Sequence, residues 1–247
     1  MKSILFGCLL LIISVSANDK PSFFNPCSMN DADTSSCVAE NIERIIKLGK
    51  NGFELQDIPA IDPVFIDSAQ TPDSSAAVTL KQKFTNFTFS GVSDMKIIDI
   101  KTNFVDKCQI KVKNSLPKAI IKGDYEANGR LLLFQVQGAD KFEVIMNKIK
   151  VGTIINCEFY EKDNEKYFKI LNIKFQLRPE NGHMSFPNII HNNKELSQTV
   201  NDLLNENFLD IFNEFKSTIQ EKLEEKFSII ANKIIGDHPV KELFKVE

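Results

Sequence analysis

Apolar residues recur every three or four positions along a stretch of about forty residues near the end of the chain. Residues 195–235 contain neither Gly nor Pro. The apolar positions are Leu196, Val200, Leu204, Phe208, Ile211, Phe215, Ile219, Leu223, Phe227, Ile230 and Ile234. This spacing puts them on one face of a helix, which would be roughly 60 Å long if unbroken. Asn192 and Glu195 predict a capping box at its beginning, and Gly236 marks its end.

The wide apolar stripe predicts that the rest of the protein envelops this helix. Its steps average about 3.8 residues, whereas a left-handed coiled coil requires a repeat of about 3.5. Leu203, Phe212, Ala231 and Ile235 widen the stripe further. A dimerising coiled coil is therefore the less favoured alternative, and we expect a monomer.

Alternating apolar and polar side chains predict long antiparallel strands between residues 78 and 177. Ile110 and Val112 share one face while Lys111 and Lys113 share the other, so one face is buried and one is solvated. The predicted boundaries are a strand start at Pro117, a hairpin at Asn128-Gly129, turns at 138–140 and 161–165, and a strand over 142–160 that is continuous or broken at Gly152. Strands of this length favour a strongly curved sheet.

The chain therefore predicts an α+β fold, in which a strongly curved antiparallel sheet wraps a long C-terminal α-helix around an elongated apolar interior. Before the strands, apolar spacing predicts a short amphipathic helix over 38–48 that ends at Gly49 or Gly52. Two prolines predict a rigid linker over 53–66. Small polar residues predict a loop over 71–77.

The first seventeen residues have the pattern of an export signal. Lys2 precedes an apolar core over 4–15, which is too short to cross a bilayer core of about 30 Å. Small residues follow at the expected cleavage position, Ala17. We therefore expect a secreted, extracellular protein with one domain over 18–247 and no stable membrane insertion.

Composition narrows the classes of partner. The formal net charge of −3 comes with scattered lysines, so nothing indicates nucleic-acid binding. The chain has 20 Phe, 3 Tyr and no Trp. Most of its aromatic surface therefore lacks a polar group, which suits a dry interior.

Four cysteines follow the export signal, and secretion favours disulfides. Cys27 and Cys37 flank a short polar loop, and we expect them to pair. Cys108 and Cys157 would lie three strands apart on a simple meander, about 14 Å, whereas a disulfide needs Cα atoms within about 7 Å. We expect two buried free thiols, with a disulfide through curling of the sheet as the alternative.

Candidates for catalysis are weak. His183, His191 and His238 have no metal-ligand spacing, and the chain lacks the HExxH, GxSxG, CxxC and phosphate-loop motifs. We therefore expect no enzyme, no metal and no cofactor. Asn86 begins the sequon Asn-Phe-Thr and is a glycosylation candidate in a secreted chain. It lies in a predicted strand, so occupied and unoccupied states both stay open.

Several short segments occur along the chain in a characteristic order. They are Cys27 with Cys37, Ile58-Pro59-Ala60-Ile61-Asp62-Pro63, Phe89-Ser90-Gly91-Val92, Leu116-Pro117 through Tyr125 with Gly129 and Leu131, Asn205-Glu206-Asn207-Phe208, Phe227-Ser228-Ile229-Ile230, and Pro239 to Phe244. Together they resemble one insect secreted family, the takeout and haemolymph juvenile-hormone-binding proteins. The resemblance covers nearly all of the mature chain. It implies the fold of the tubular lipid-binding superfamily, with a hydrophobic tunnel between the curved sheet and the long helix.

The resemblance implies a carrier of a small hydrophobic ligand, such as a juvenile-hormone-like terpenoid, a fatty acid or a related lipid, with links to circadian physiology. The candidate ligand-binding residues are Phe104, Ile110, Val112, Tyr125, Phe134, Phe142, Phe175, Leu204, Phe208, Phe212 and Phe215. They could instead pack only on each other, and the Tyr125 hydroxyl could bond either a ligand or the backbone. Two other functions stay open: a secreted interaction or signalling protein with a filled core, and a lipid-transfer protein that docks on membranes.

Overall fold

The computed structural model describes residues 24–29, 31–54, 57–70, 79–131, 134–236 and 238–245. The predicted export signal and the predicted loop over 71–77 lie outside the described residues. In chain order the elements are β1 (Cys27–Ser28), α1 (Thr34–Leu48), β2 (Val64–Gln70), β3 (Thr79–Ser90), β4 (Lys96–Asn103), β5 (Gln109–Leu131), β6 (Phe134–Lys162), β7 (Glu165–Arg178), β8 (Asn181–Ser185), α2 (Lys194–Glu206), α3 (Phe208–Ile235), α4 (Val240–Leu243) and β9 (Phe244–Lys245).

Two very long strands, β5 and β6, organise the main antiparallel sheet. β5 pairs with β6 from one end to the other, from Gln109 opposite Asn156 to Leu131 opposite Phe134, and β6 continues beyond this pairing to Lys162. The strand order is β2-β3-β5-β6-β7, while β4 pairs with the first half of β5 and β8 with the first half of β6. The two halves of each long strand thus have different neighbours, and the predicted curled sheet is confirmed.

Helix α3 lies along the open side of this curled sheet. It packs against β7 at one edge and contacts β2 at the other, so it closes the interior between them. Lys226 on α3 bonds Asp67 on β2 at 3.0 Å. The prediction of a long C-terminal helix enclosed by strands is confirmed.

The prediction of one unbroken helix is wrong at Asn207, where the backbone leaves the helical region with φ −112° and ψ 31°. The Asn207 side-chain Nδ2 donates to the Leu203 carbonyl at 2.9 Å, and a side chain that bonds nearby backbone competes with helical pairing. The helical segment also begins one residue later than predicted. Its N-cap is Asn193, whose Oδ1 accepts from the Leu196 N–H at 3.0 Å. Leu196 itself is exposed, unlike the stripe it was assigned to.

The turn predicted at Asn128-Gly129 is wrong, because β5 continues through both residues to Leu131. Gly129 takes a positive φ of 140° while it remains paired with Val136. Its positive φ therefore occurs within the paired strands and not in a turn between them.

The turn predicted at 138–140 is also inside a strand, β6. Gly138 is needed there for close approach, since a Cβ atom would lie 2.1 Å from the Asn188 carbonyl oxygen. Gly152 does not break β6, so the continuous alternative holds. Pro117 does not open a strand but lies within β5.

The predicted amphipathic helix is confirmed as α1, and Gly49 is its C-cap. Its φ of −83° is not left-handed. Gly49 instead provides room, because a Cβ atom would lie 2.5 Å from Ile61 Cδ1. The linker predicted over 53–66 ends earlier, since Val64 already begins β2.

Both cysteine pairs are disulfide-bonded. The predicted Cys27–Cys37 bond is confirmed, with Cα atoms 5.7 Å apart. The expectation of free thiols at Cys108 and Cys157 is wrong, since these residues are bonded with Cα atoms 4.9 Å apart. The strand count behind that expectation failed because β5 is one uninterrupted strand next to β6. Cys108 therefore lies beside Cys157, whose N–H donates to its carbonyl at 2.9 Å.

Candidate functional site

Polar side chains on one flank of α3 bind the free edge of β7. They occur every fourth residue, and each accepts a hydrogen bond from a backbone N–H of the strand. These bonds run from Leu177 to Gln220 (3.0 Å), Phe175 to Glu224 (2.8 Å), Ile173 to Ser228 (3.1 Å) and Ile170 to Asn232 (2.9 Å). We call this set the α3 ladder. It fixes the helix along the strand while the adjacent apolar face points into the interior.

Glu224 is the most buried member of the α3 ladder, at 9 % exposure. Its carboxylate also accepts from Lys174 Nζ at 2.7 Å. This hydrogen bond and the charge of Glu224 raise the pKa of the Lys174 ammonium. The buried carboxylate therefore has both a backbone and a charged partner.

Helix α2 binds the chain around β8 in the same way. The bonds run from Ile190 to Ser197 (3.0 Å), Phe186 to Asn201 (2.7 Å) and Met184 to Asn205 (2.7 Å). Both asparagines also donate back, Asn201 to the Phe186 carbonyl and Asn205 to the Met184 carbonyl. Counting apolar positions could not find these contacts. The sequence signal is a polar residue every fourth position beside the apolar stripe.

The larger interior cavity has a volume of about 250 Å³ and lies between α1, the first half of β5, the second half of β6, β7 and α3. Its lining is apolar apart from three residues, Asn41, Asn114 and Thr153. A concave, mainly apolar space with a few polar groups is typical of a ligand site.

A smaller cavity of about 60 Å³ lies near the second half of β5, the first half of β6, α2 and the start of α3. It shares no lining residue with the larger cavity. An uninterrupted tunnel therefore stays a prediction.

The predicted ligand-binding residues divide between these two spaces. The larger cavity is lined by Phe104, Ile110, Val112 and Phe175. The smaller cavity is lined by Tyr125, Phe142, Leu204, Phe212 and Phe215.

Two predicted residues, Phe134 and Phe208, line neither cavity. Phe134 is half-buried beside the core. The Phe208 ring stacks on Phe212 with centroids 6.1 Å apart. It also packs over Gly182, where a Cβ atom would lie 2.1 Å from the ring.

Sequence reasoning missed all of the lining that α1 and the C-terminal part of α3 give to the larger cavity. The missed residues include Ile42, Ile45, Ile46, Leu223, Phe227, Ile230 and Ile234. All of them belong to apolar stripes already visible in the sequence. They line the same cavity as Ile110 because α1 packs over the end of the sheet, and the sequence alone does not show that packing.

The Tyr125 hydroxyl donates to the backbone carbonyl of Pro187. This is the backbone partner that the sequence analysis left open as an alternative. Burial, assisted by the negative charge of Asp140, raises the pKa of Tyr125 above its ordinary value. The phenol therefore stays neutral at physiological pH.

In the part of the chain that the structure describes, no group of three or more His, Cys, Asp or Glu side chains is placed to hold a metal ion. Within the same ranges, no helix is both long and apolar enough to cross a bilayer. His238 instead contacts Glu242, with 2.8 Å between Nδ1 and Oε2.

Comparison with known proteins is consistent across sequence and structure. The family model described as haemolymph juvenile hormone binding protein matches residues 6–245. The circadian clock-controlled protein daywake of Drosophila melanogaster and that of Drosophila yakuba are each 20 % identical over 240 residues, which is 92 % of this chain and 89 % of the relative. The crystal structure of Epiphyas postvittana Takeout 1 matches with a TM-score of 0.79 and 20 % identity, over 90 % of this chain and 99 % of that one.

Proposed function

Because the chain belongs to the haemolymph juvenile hormone binding protein family, we propose that it is a secreted carrier that holds a small hydrophobic ligand in its interior. The ligand class is a terpenoid, a fatty acid or a related lipid. The protein acts by sequestration and transport in extracellular fluid, as a monomer and without chemistry on its ligand.

The observation that carries this proposal is the larger cavity. Its volume of about 250 Å³ is close to the lower end of the roughly 300–1,000 Å³ of ordinary ligand pockets. An engineered apolar cavity of about 150 Å³ holds benzene, so by proportion this one holds about ten non-hydrogen atoms. Burying a ten-carbon chain is worth about 8 kcal/mol before the costs of association.

The residues proposed to contact the ligand are the predicted residues that line the larger cavity, together with those of α1 and α3 that complete it. Phe104, Ile110, Val112 and Phe175 contribute from the sheet side. The smaller cavity, which includes Tyr125, is proposed as a second, tighter part of the ligand space.

The predicted export signal and the two disulfides support the proposal of secretion. The secreted chain should begin at Asn18, which intact mass spectrometry of protein from culture medium tests. A mature chain whose first residue lies far from position 18 would contradict the predicted cleavage site. The names of the daywake relatives support a proposed circadian link, tested by measuring the transcript through a day.

Native mass spectrometry of protein purified from its source tests the carrier proposal. We expect a single small lipid retained per chain, lost after delipidation and regained on incubation with a lipid extract. A chain that arrives without lipid and takes up none would contradict the proposal and favour a filled-core interaction protein. Lipid uptake only in the presence of anionic vesicles would favour a membrane-docking transfer protein instead.

A further inference from the structure

One buried polar atom in the larger cavity has no partner. Asn114 on β5 is 5 % exposed and lines the cavity. Its Nδ2 donates to Thr153 Oγ1 on β6 at 3.0 Å. Among the buried side-chain nitrogen and oxygen atoms of the described ranges, only Asn114 Oδ1 has no hydrogen-bond partner.

The side chain of Asn41, another polar residue of this cavity, already has partners on both polar atoms. Asn41 Oδ1 accepts from the Asn25 N–H at 2.8 Å, and its Nδ2 donates to the Asn25 carbonyl at 2.8 Å. Thr153 Oγ1 accepts from Asn114, while its own hydroxyl hydrogen makes no hydrogen bond within the described ranges. The cavity therefore offers an incoming molecule an unpaired acceptor at Asn114 beside a hydroxyl donor at Thr153, a pair that one alcohol group can satisfy on both sides.

A buried acceptor without a partner has lost its bond to water and gained nothing in return. Native proteins keep few such groups, and each one needs an explanation. A hydrogen-bond donor on a bound molecule would restore the missing bond. Ethers, esters, epoxides and carboxylates lack that hydrogen, whereas an alcohol has one.

We propose that Asn114 Oδ1 accepts a hydrogen bond from the hydroxyl group of the ligand, and that the larger cavity selects alcohols over acceptor-only molecules of the same size. Thr153 is the positioning residue, because its hydroxyl holds the amide nitrogen and so leaves the carbonyl oxygen as the unpaired atom of the amide. This inference rests on the proposed carrier function and adds the chemical class of the ligand's polar end.

Two isomeric probes test the selection in the full mature chain. 1-Decanol and 1-methoxynonane have the same atoms, but only the alcohol can donate. We expect 1-decanol to bind roughly tenfold more tightly, equivalent to about 1.4 kcal/mol, by isothermal titration calorimetry. Equal affinities would overturn this inference while leaving the carrier proposal standing. Tighter binding of the ether would also overturn it, because the amide would then present its N–H groups.

A double variant tests whether the preference for the alcohol depends on Asn114 and Thr153. In Asn114→Leu with Thr153→Val both polar partners are replaced, so neither is left unpaired. We expect its affinity for 1-decanol to fall to that of the ether, while ether affinity changes less than twofold. Asn172→Leu is the matched control, since Asn172 lies in the same sheet and lines neither cavity. It should keep the tenfold preference.

The outcomes separate the two proposals. Retained preference in a folded double variant, checked by circular dichroism, would overturn the role of Asn114. If the double variant fails to fold, the alcohol-to-ether ratio of the unchanged protein decides alone. Binding of neither probe to the unchanged protein would overturn both this inference and the use of the larger cavity by a carrier.

Discussion

Replacing Ala231 with phenylalanine should abolish ligand binding by filling the larger cavity from the helix side. Ala231 lies on α3 and lines that cavity. A phenyl group occupies roughly the 150 Å³ in which an engineered cavity holds benzene, which is more than half of the 250 Å³ found here. Space for about four of the ten non-hydrogen atoms remains.

The expected loss of affinity follows from the ligand atoms that are excluded. Six methylene groups at about 0.8 kcal/mol each amount to about 5 kcal/mol, more than a thousandfold in Kd. Displacement of a fluorescent lipid probe by 1-decanol measures it. Ala139→Phe is the control, because Ala139 is exposed on β6 and lines neither apolar cavity. Its affinity should equal that of the unchanged protein.

The stability of the Ala231→Phe variant distinguishes filling from misfolding. Phenylalanine in a helix interior loses only about 0.5 kcal/mol relative to alanine, and the new ring packs in empty space. The thermal midpoint should therefore change by a few degrees at most. A variant that is folded by circular dichroism and still binds with unchanged affinity would refute the assignment of the ligand to this cavity.

Four further predictions concern stability and modification. Glu224→Leu leaves the partly buried Phe175 N–H of β7 unpaired and should lower the unfolding free energy, measured in urea, by about 2 kcal/mol. An unchanged unfolding free energy would mean that this bond of the α3 ladder contributes little. Replacing Cys108 and Cys157 with alanine removes a disulfide that joins residues 49 positions apart. The chain-entropy model predicts that the unfolding free energy falls by about 4 kcal/mol. Alkylation of these two cysteines in unreduced protein would contradict the presence of the disulfide. Tyr125→Phe removes a phenol whose pKa is raised in the folded state. The stability that this raised pKa contributes is complete below the ordinary tyrosine pKa of about 10 and is lost as the pH rises above it. In urea unfolding at increasing alkaline pH, the unfolding free energy of the unchanged protein should therefore fall faster than that of the variant. Parallel plots of unfolding free energy against pH would contradict this. Asn86 is exposed at a bulge in β3, and protein secreted from insect cells should lose glycan mass on amidase treatment, whereas Asn86→Gln should show no change.

The sequence predicted the family and the main architecture, and both are confirmed. Burial explains this success, because a stripe such as Leu223, Phe227 and Ile230 has to face the interior wherever the rest of the chain lies. The same physics predicted α1 and the alternating strands. These features depend on local periodicity, which a single sequence carries in full.

The failures occur where distant contacts decide the local structure. Gly138 looks like a turn residue, yet it serves the close approach of Asn188 from a remote segment. The Cys108–Cys157 bond required knowing that β5 continues uninterrupted beside β6. The false strand start at Pro117 and the two false turns divided β5 and β6 into more strands than exist. These local misreadings therefore placed the two cysteines too far apart.

The candidate site was predicted only in part for a similar reason. Nine of the eleven predicted residues line one of two cavities, but Phe134 and Phe208 do not. The unpaired oxygen of Asn114 could not be found from sequence, because the pattern places an asparagine on a strand without showing which of its atoms has a partner.

The α3 ladder protects an edge of the sheet from pairing with other protein molecules. An uncovered strand margin can recruit strands from other molecules and seed aggregates. Along β7 the amide hydrogens that would do so are already taken by the protein's own helix. The protein can thus contain an apolar cavity while these amide hydrogens stay unavailable to strands of other molecules.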